Sequence, residues 1–122
     1  MATKKTFLFV LQQAPHGSFL PRDALDVILA YSAFVETASI LFLGDGVLQL
    51  KTGQNPAAVG YSNFTRSYNA MDLFDIDTLY VEQPALQERQ LSRDDLMGEH
   101  LTLLSATEVH SLMAKHDMVL SF

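Results

Sequence analysis

The sequence predicts an α/β domain: a three-layer α/β/α arrangement of Rossmann-like type around a five-stranded parallel sheet, and three observations predict it. Five short apolar runs recur, at residues 7–11, 40–43, 79–81, 101–104 and 118–120. None alternates cleanly between apolar and polar, as expected of strands covered on both faces. Segments with helical spacing lie between the runs, and strands alternating with helices imply crossover units, which are almost always right-handed.

The elements follow in order. The run at 7–11 is the first strand, and Pro15-His16-Gly17-Ser18 reads as a turn beyond it. A helix is expected from Pro21, because proline suits a first helical turn where its missing N–H has no partner. Residues 22–37 then hold neither proline nor glycine. One face of this helix carries Leu25, Ile28, Leu29, Ser32 and Val35, and a second carries Val27, Tyr31, Phe34 and Ala38. A helix lying on one sheet needs a single apolar stripe. The second stripe marks Val27, Tyr31 and Phe34 as a candidate subunit interface.

After the second strand, Gly44-Asp45-Gly46 is expected to turn tightly into about one helical turn at 47–50, with a further turn at Gly53-Gln54-Asn55-Pro56. Tyr61, Phe64, Tyr68 and Met71 recur at helical spacing, and Asp75 to Asp77 should end that helix before the third strand. Pro84 opens a short helix over 85–91, and residues 92–99 are polar. Ser105-Ala106-Thr107-Glu108 has the form of a capping box. It starts a helix that should end near His116. The last strand is expected to place Phe122 at the C-terminal rim of the sheet, where open α/β folds hold ligands or partners.

A chain of 122 residues is one domain, residues 1–122. Hydrophobic residues at 48% and charged residues at 18% exclude a disordered chain. The 8 Lys+Arg against 14 Asp+Glu are scattered, so a phosphate-binding basic face is not expected, nor direct nucleic-acid binding. No run approaches the roughly 20 apolar residues of a membrane span. The start of the chain lacks the apolar core of a signal peptide, so a cytoplasmic location is expected. Cysteine is absent, which removes disulfides, thiolate nucleophiles and persulfides carried on this chain.

Several constellations invite chemistry. His16 and Ser18, with Asp45, suggest a hydrolase, yet Ser18 lacks the strained elbow of a nucleophile. Gly44-Asp45-Gly46 is a lone G-x-G, and position 49 is Gln where a dinucleotide fingerprint needs Gly. With His16 it could still form a small-ligand or phosphate site at the rim. Asp45 as a receiver-type phosphoacceptor fails, because the loop after the first strand is Gln12-Gln13-Ala14 rather than an acidic pair. His110 and His116 are six residues apart and do not share a helical face as an i, i+4 pair would. These, with His100, read as solvated histidines, and neither metal nor cofactor is expected. Pro15, His16, Gly17 and Asp45 remain as candidate rim-loop residues.

Taken together, some segments are specific. They are Ala14-Pro15-His16-Gly17, then Arg22-Asp23-Ala24-Leu25-Asp26 with Ser32-Ala33, then Phe42-Leu43-Gly44-Asp45-Gly46-Val47-Leu48-Gln49-Leu50, then Gln54-Asn55-Pro56, then Leu73-Phe74-Asp75-Ile76, and finally Val119-Leu120-Ser121-Phe122. Their order and spacing resemble the DsrE/DsrF-like family of sulfur-relay subunits, in its DsrF-type, TusC-like branch. The resemblance implies a heterohexamer with TusB-like and TusD-like subunits. That assembly passes persulfide sulfur from a TusA-like donor to a TusE-like acceptor, toward 2-thiolation of the tRNA wobble uridine. In sulfur-oxidising bacteria the related DsrE–DsrF–DsrH complex serves sulfur oxidation instead. The essential cysteine belongs to the TusD-like (DsrE-type) subunit, after its third strand, where this chain reads Glu82-Gln83-Pro84. No catalytic residue therefore carries over. The expectation is a non-catalytic docking subunit, able to form a homo-oligomer when isolated. The alternatives are an independent small-ligand or phosphate-binding domain and a stand-alone hydrolase.

Overall fold

A computed structural model describes residues 6–13, 27, 28, 30, 37–51, 76–96 and 101–122. Strands β1 (Thr6–Leu11), β2 (Thr37–Phe42), β3 (Ile76–Glu82), β4 (Leu101–Leu104) and β5 (Met118–Ser121) form one sheet in the order β4-β3-β2-β1-β5. Every neighbouring pair is parallel, with Leu11 opposite Phe42 and Leu8 opposite Val119. The helical elements are a 3₁₀ helix at Gly44–Leu50, α1 (Gln83–Glu88), a second 3₁₀ turn at Arg93–Asp95, and α2 (Ala106–Lys115). Val27, Ile28 and Ala30 are also helical. Among the described residues no helix is long and apolar enough to cross a membrane.

Strand order and handedness assign the layers. The steps from β1 to β2, β3 and β4 all move the same way across the sheet, and the step from β4 to β5 runs back over it. Right-handed crossovers then put the outward connections on one face and α2 on the other. The side chains follow this division, since successive residues of a strand point to opposite faces. Phe9, Leu11, Ile40, Phe42 and Val81 pack in one buried cluster with Ile28, Val47, Leu50, Ala85 and Leu86. Leu8, Val10 and Leu41 pack in the other with Leu104 and with Val109 and Leu112 of α2. Residues 8–11 and 40–42 are buried without a break, as strands covered on both sides require.

The expected elements shift at several boundaries. Thr37 and Ala38, expected in or against the long helix, belong to β2: Thr37 pairs with Thr6, and Ala38 is buried in the core. Ladder hydrogen bonds to β1 override the helical spacing there. β3 begins at Ile76, inside the acidic stretch expected to precede it. The short helix begins at Gln83, with Pro84 in its first turn, and ends before the expected residue 91. It ends there because Gln90 adopts φ 56° and closes a Schellman turn, in which Leu91 N–H donates to the Leu86 carbonyl at 2.9 Å. The aromatic stripe Tyr61, Phe64, Tyr68 and Met71 lies outside the described residues.

The capping box forms as the sequence predicts. Glu108 N–H donates to Ser105 Oγ at 3.2 Å, and Ser105 N–H donates to Glu108 Oε1 at 2.9 Å. At the other end of α2, His116 Nδ1 lies 2.9 Å from the Leu112 carbonyl, so this half-buried histidine closes the helix and is not a free surface ring. The next residue latches the sheet: Thr6 N–H donates to Asp117 Oδ2 at 2.8 Å, joining the starts of β1 and β5.

Ser105→Ala should lower stability by about 1 kcal/mol in chemical denaturation, the usual worth of an N-cap hydroxyl. The backbone hydrogen bond from Ser105, and then its side chain, hold the Glu108 carboxyl below its ordinary value of 4.5. A carboxyl whose pKa falls on folding stabilises the fold at neutral pH, and that contribution disappears as pH drops through the lowered value. Glu108→Ala should therefore lower the melting temperature at pH 7, and the difference from wild type should shrink as the solution is acidified below pH 4.5.

Candidate functional site

All five strands are parallel, so their C-terminal ends share one rim. The 3₁₀ helix Gly44–Leu50 sits there. Seven residues is long for such a helix, which ordinarily stops after three or four. Contacts from three neighbouring segments hold it.

The first is a backbone approach. Leu43 N–H donates to the Leu11 carbonyl at 3.0 Å, and Gly46 then passes so close to that carbonyl that a Cβ on Gly46 would overlap its oxygen. Gly44 takes φ 51°, a left-handed conformation that glycine adopts at little cost, with open space where a Cβ would stand. The two glycines thus serve different needs: Gly46 allows contact, and Gly44 allows the turn.

The second comes from β3 and α1. Gly44 N–H donates to Glu82 Oε1 at 3.1 Å. Arg89 Nη2 donates to Asp45 Oδ1 at 2.7 Å, while Arg89 Nη1 donates to the Ala85 carbonyl at 3.0 Å. The third comes from the chain leaving β1: Gln49, fully buried, donates from Nε2 to the Gln13 carbonyl at 2.9 Å. Phe122 completes the rim. Its N–H donates to the Val10 carbonyl at 2.9 Å, and its own carbonyl accepts from Gln12 N–H at 3.1 Å.

Of the candidate rim residues, Asp45 lies at this rim, where its carboxylate accepts from Arg89. Pro15, His16 and Gly17, with Ser18, lie outside the described residues. Of the candidate interface, Val27 is 37% exposed while its neighbour Ile28 is fully buried, which separates the two expected helix faces at these positions. Tyr31 and Phe34 lie outside the described residues. Sequence reasoning missed Glu82, Arg89 and Gln49 as rim partners. Gln49 carries one visible signal, a lone amide between Val47, Leu48 and Leu50. A groove of about 240 Å³ lies elsewhere, along α2, lined by Tyr80, Glu108, Ser111 and Lys115 among others.

A doubly covered parallel sheet with a hydrogen-bonded rim, and no thiol in the sequence, defines a Rossmann-like α/β protein unable to carry sulfur covalently on cysteine. The profile of the DsrE/DsrF-like family matches residues 5–122. Over 117 residues the chain is 35% identical to a TusC homolog of Vibrio vulnificus, spanning 96% of this chain and 97% of that one. Over 131 residues it is 30% identical to the intracellular sulfur oxidation protein DsrF of Allochromatium vinosum, spanning 97% and 96%. The crystal structure of the ychN protein from E. coli superposes with a TM-score of 0.80 at 17% identity, over 97% of this chain and 99% of that one, a likeness of fold. The chain belongs to the DsrE/DsrF-like family.

Substitutions should rank the rim contacts. Gly46→Ala should cost about 3 kcal/mol, because its methyl group would displace backbone. Gly44→Ala should cost about 1 kcal/mol, from backbone conformation alone. Asp45→Ala should cost at most about 1 kcal/mol, since its carboxylate is 61% exposed and solvent weakens the ion pair. Urea denaturation of the three variants checks the order.

Proposed function

We propose that this chain is a non-catalytic subunit of a cytoplasmic sulfur-transfer complex that supports 2-thiolation of the tRNA wobble uridine. One observation carries the reading: a chain with no cysteine matches a TusC homolog nearly end to end. Persulfide relay proceeds by thiolate attack on sulfur. A subunit without thiols contributes by shaping, placing or stabilising a neighbour's site. The resemblance supplies the neighbours, TusB-like and TusD-like subunits in a heterohexamer, with TusA-like and TusE-like proteins as donor and acceptor. In the stretch that the resemblance associates with the neighbour's cysteine this chain reads Glu82-Gln83-Pro84, and the Glu82 carboxylate, at the end of β3, accepts from Gly44 N–H. The net charge of −6 accords with handing sulfur on to proteins and leaving tRNA to a later enzyme.

The docking surfaces in this reading are the helix stripe of Val27, Tyr31 and Phe34 and the rim around Pro15, His16, Gly17 and Asp45. The match to DsrF favours a second reading, the same docking role within a sulfur-oxidation complex. Measuring wobble-uridine 2-thiolation in a host lacking this chain separates the two: loss supports the first reading, and retention supports the second.

Co-expression with TusB-like and TusD-like subunits should yield a single large species in size-exclusion chromatography. A chain that elutes alone in their presence contradicts the proposal. Phe34→Asp should abolish co-elution, because a carboxylate buried without a partner is costly at an interface.

A further inference from the structure

The 3₁₀ helix carries one side chain whose role the docking reading leaves open. Gln49 is fully buried, as are Val47 and Leu50 beside it. An amide withdrawn from water is unfavourable unless the protein satisfies it. Gln49 Nε2 donates to the carbonyl of Gln13, 36 residues away in sequence. The bond ties a fully buried helix side chain to the backbone of a residue on the surface, and so fixes where that carbonyl sits.

The mount is rigid. Gly46 rests against the Leu11 carbonyl, and Gly44 is held by Glu82. From that base the amide reaches the second residue beyond β1. The residue before it is tied from the other side, through Gln12 N–H to Phe122. The exit of β1 is thus gripped between the 3₁₀ helix and the end of β5.

We infer that Gln49 is a positioning residue: it sets the path by which the chain leaves β1 at the rim, and through it the geometry that the rim offers a partner subunit. The inference rests on the docking role proposed above. A packing role alone would be met by methionine, which has the same length and no donor.

The test is Gln49→Met in the full chain, with two independent readouts. The first is amide exchange of the free chain by NMR. Wild type should show a slowly exchanging Gln49 side-chain amide. In the variant, exchange of Gln12 N–H should rise about tenfold while the amides of β2 keep their rates, the signature of local rather than global opening. The second readout is affinity for the co-expressed TusB-like and TusD-like subunits. It should fall about tenfold with the melting temperature nearly unchanged. Unchanged Gln12 exchange, or wild-type affinity in the variant, overturns the inference. So does a variant that fails to fold, which would make Gln49 a core residue. A wild-type chain that ignores the subunits contradicts the docking role instead, and exchange then decides Gln49 by itself.

Discussion

The rim depends on one close approach, the backbone of Gly46 lying against the carbonyl of Leu11. A side chain at position 46 would push the 3₁₀ helix off the end of β1. Asp45 would then move away from Arg89, Gly44 N–H from Glu82, and the Gln49 amide from Gln13. These bonds are individually modest, since exchanging water for a protein partner yields little net energy. Together they fasten an unusually long 3₁₀ helix to the exits of β1 and β3 and to the end of α1. The geometry follows from the sheet: parallel strands bring all their C-terminal ends to one side, so a single short helix can touch several of them.

What the sequence revealed and what it hid divide by the range of the interaction. β4 falls on its expected residues, 101–104, and the Ser105/Glu108 box forms. In each case the deciding chemistry is local: an apolar run, or two side chains three residues apart. Ile28 buried beside an exposed Val27 is legible for the same reason, because helical spacing separates the faces. Helical spacing runs through Thr37 and Ala38, and only their ladder to β1 makes them strand. The same limit hid the rim. The contact of Arg89 with Asp45 spans 44 residues, and that of Gln49 with Gln13 spans 36. Nothing in the local pattern at Gln49 names its partner.

Function follows from what this architecture supplies. The described residues form a five-stranded parallel sheet with a buried cluster on each face, and the sequence contains no thiol. Among the described residues the rim carries the Arg89–Asp45 ion pair, the Glu82–Gly44 bond and the buried Gln49 amide, an arrangement suited to presenting a fixed surface. Asp45 pairs with Arg89, while His16 and Ser18 lie outside the described residues. Under the docking reading, this chain's contribution to sulfur transfer is geometric, and the reactive sulfur stays on a neighbour.

The most direct measurement of that claim is to follow persulfide sulfur through the reconstituted complex by mass spectrometry, with and without this chain. Persulfide is expected on the TusD-like subunit and none on this chain, with transfer to the TusE-like acceptor slowing markedly when this chain is left out. Undiminished transfer in its absence, or sulfur-transfer turnover by the purified chain alone, would contradict it.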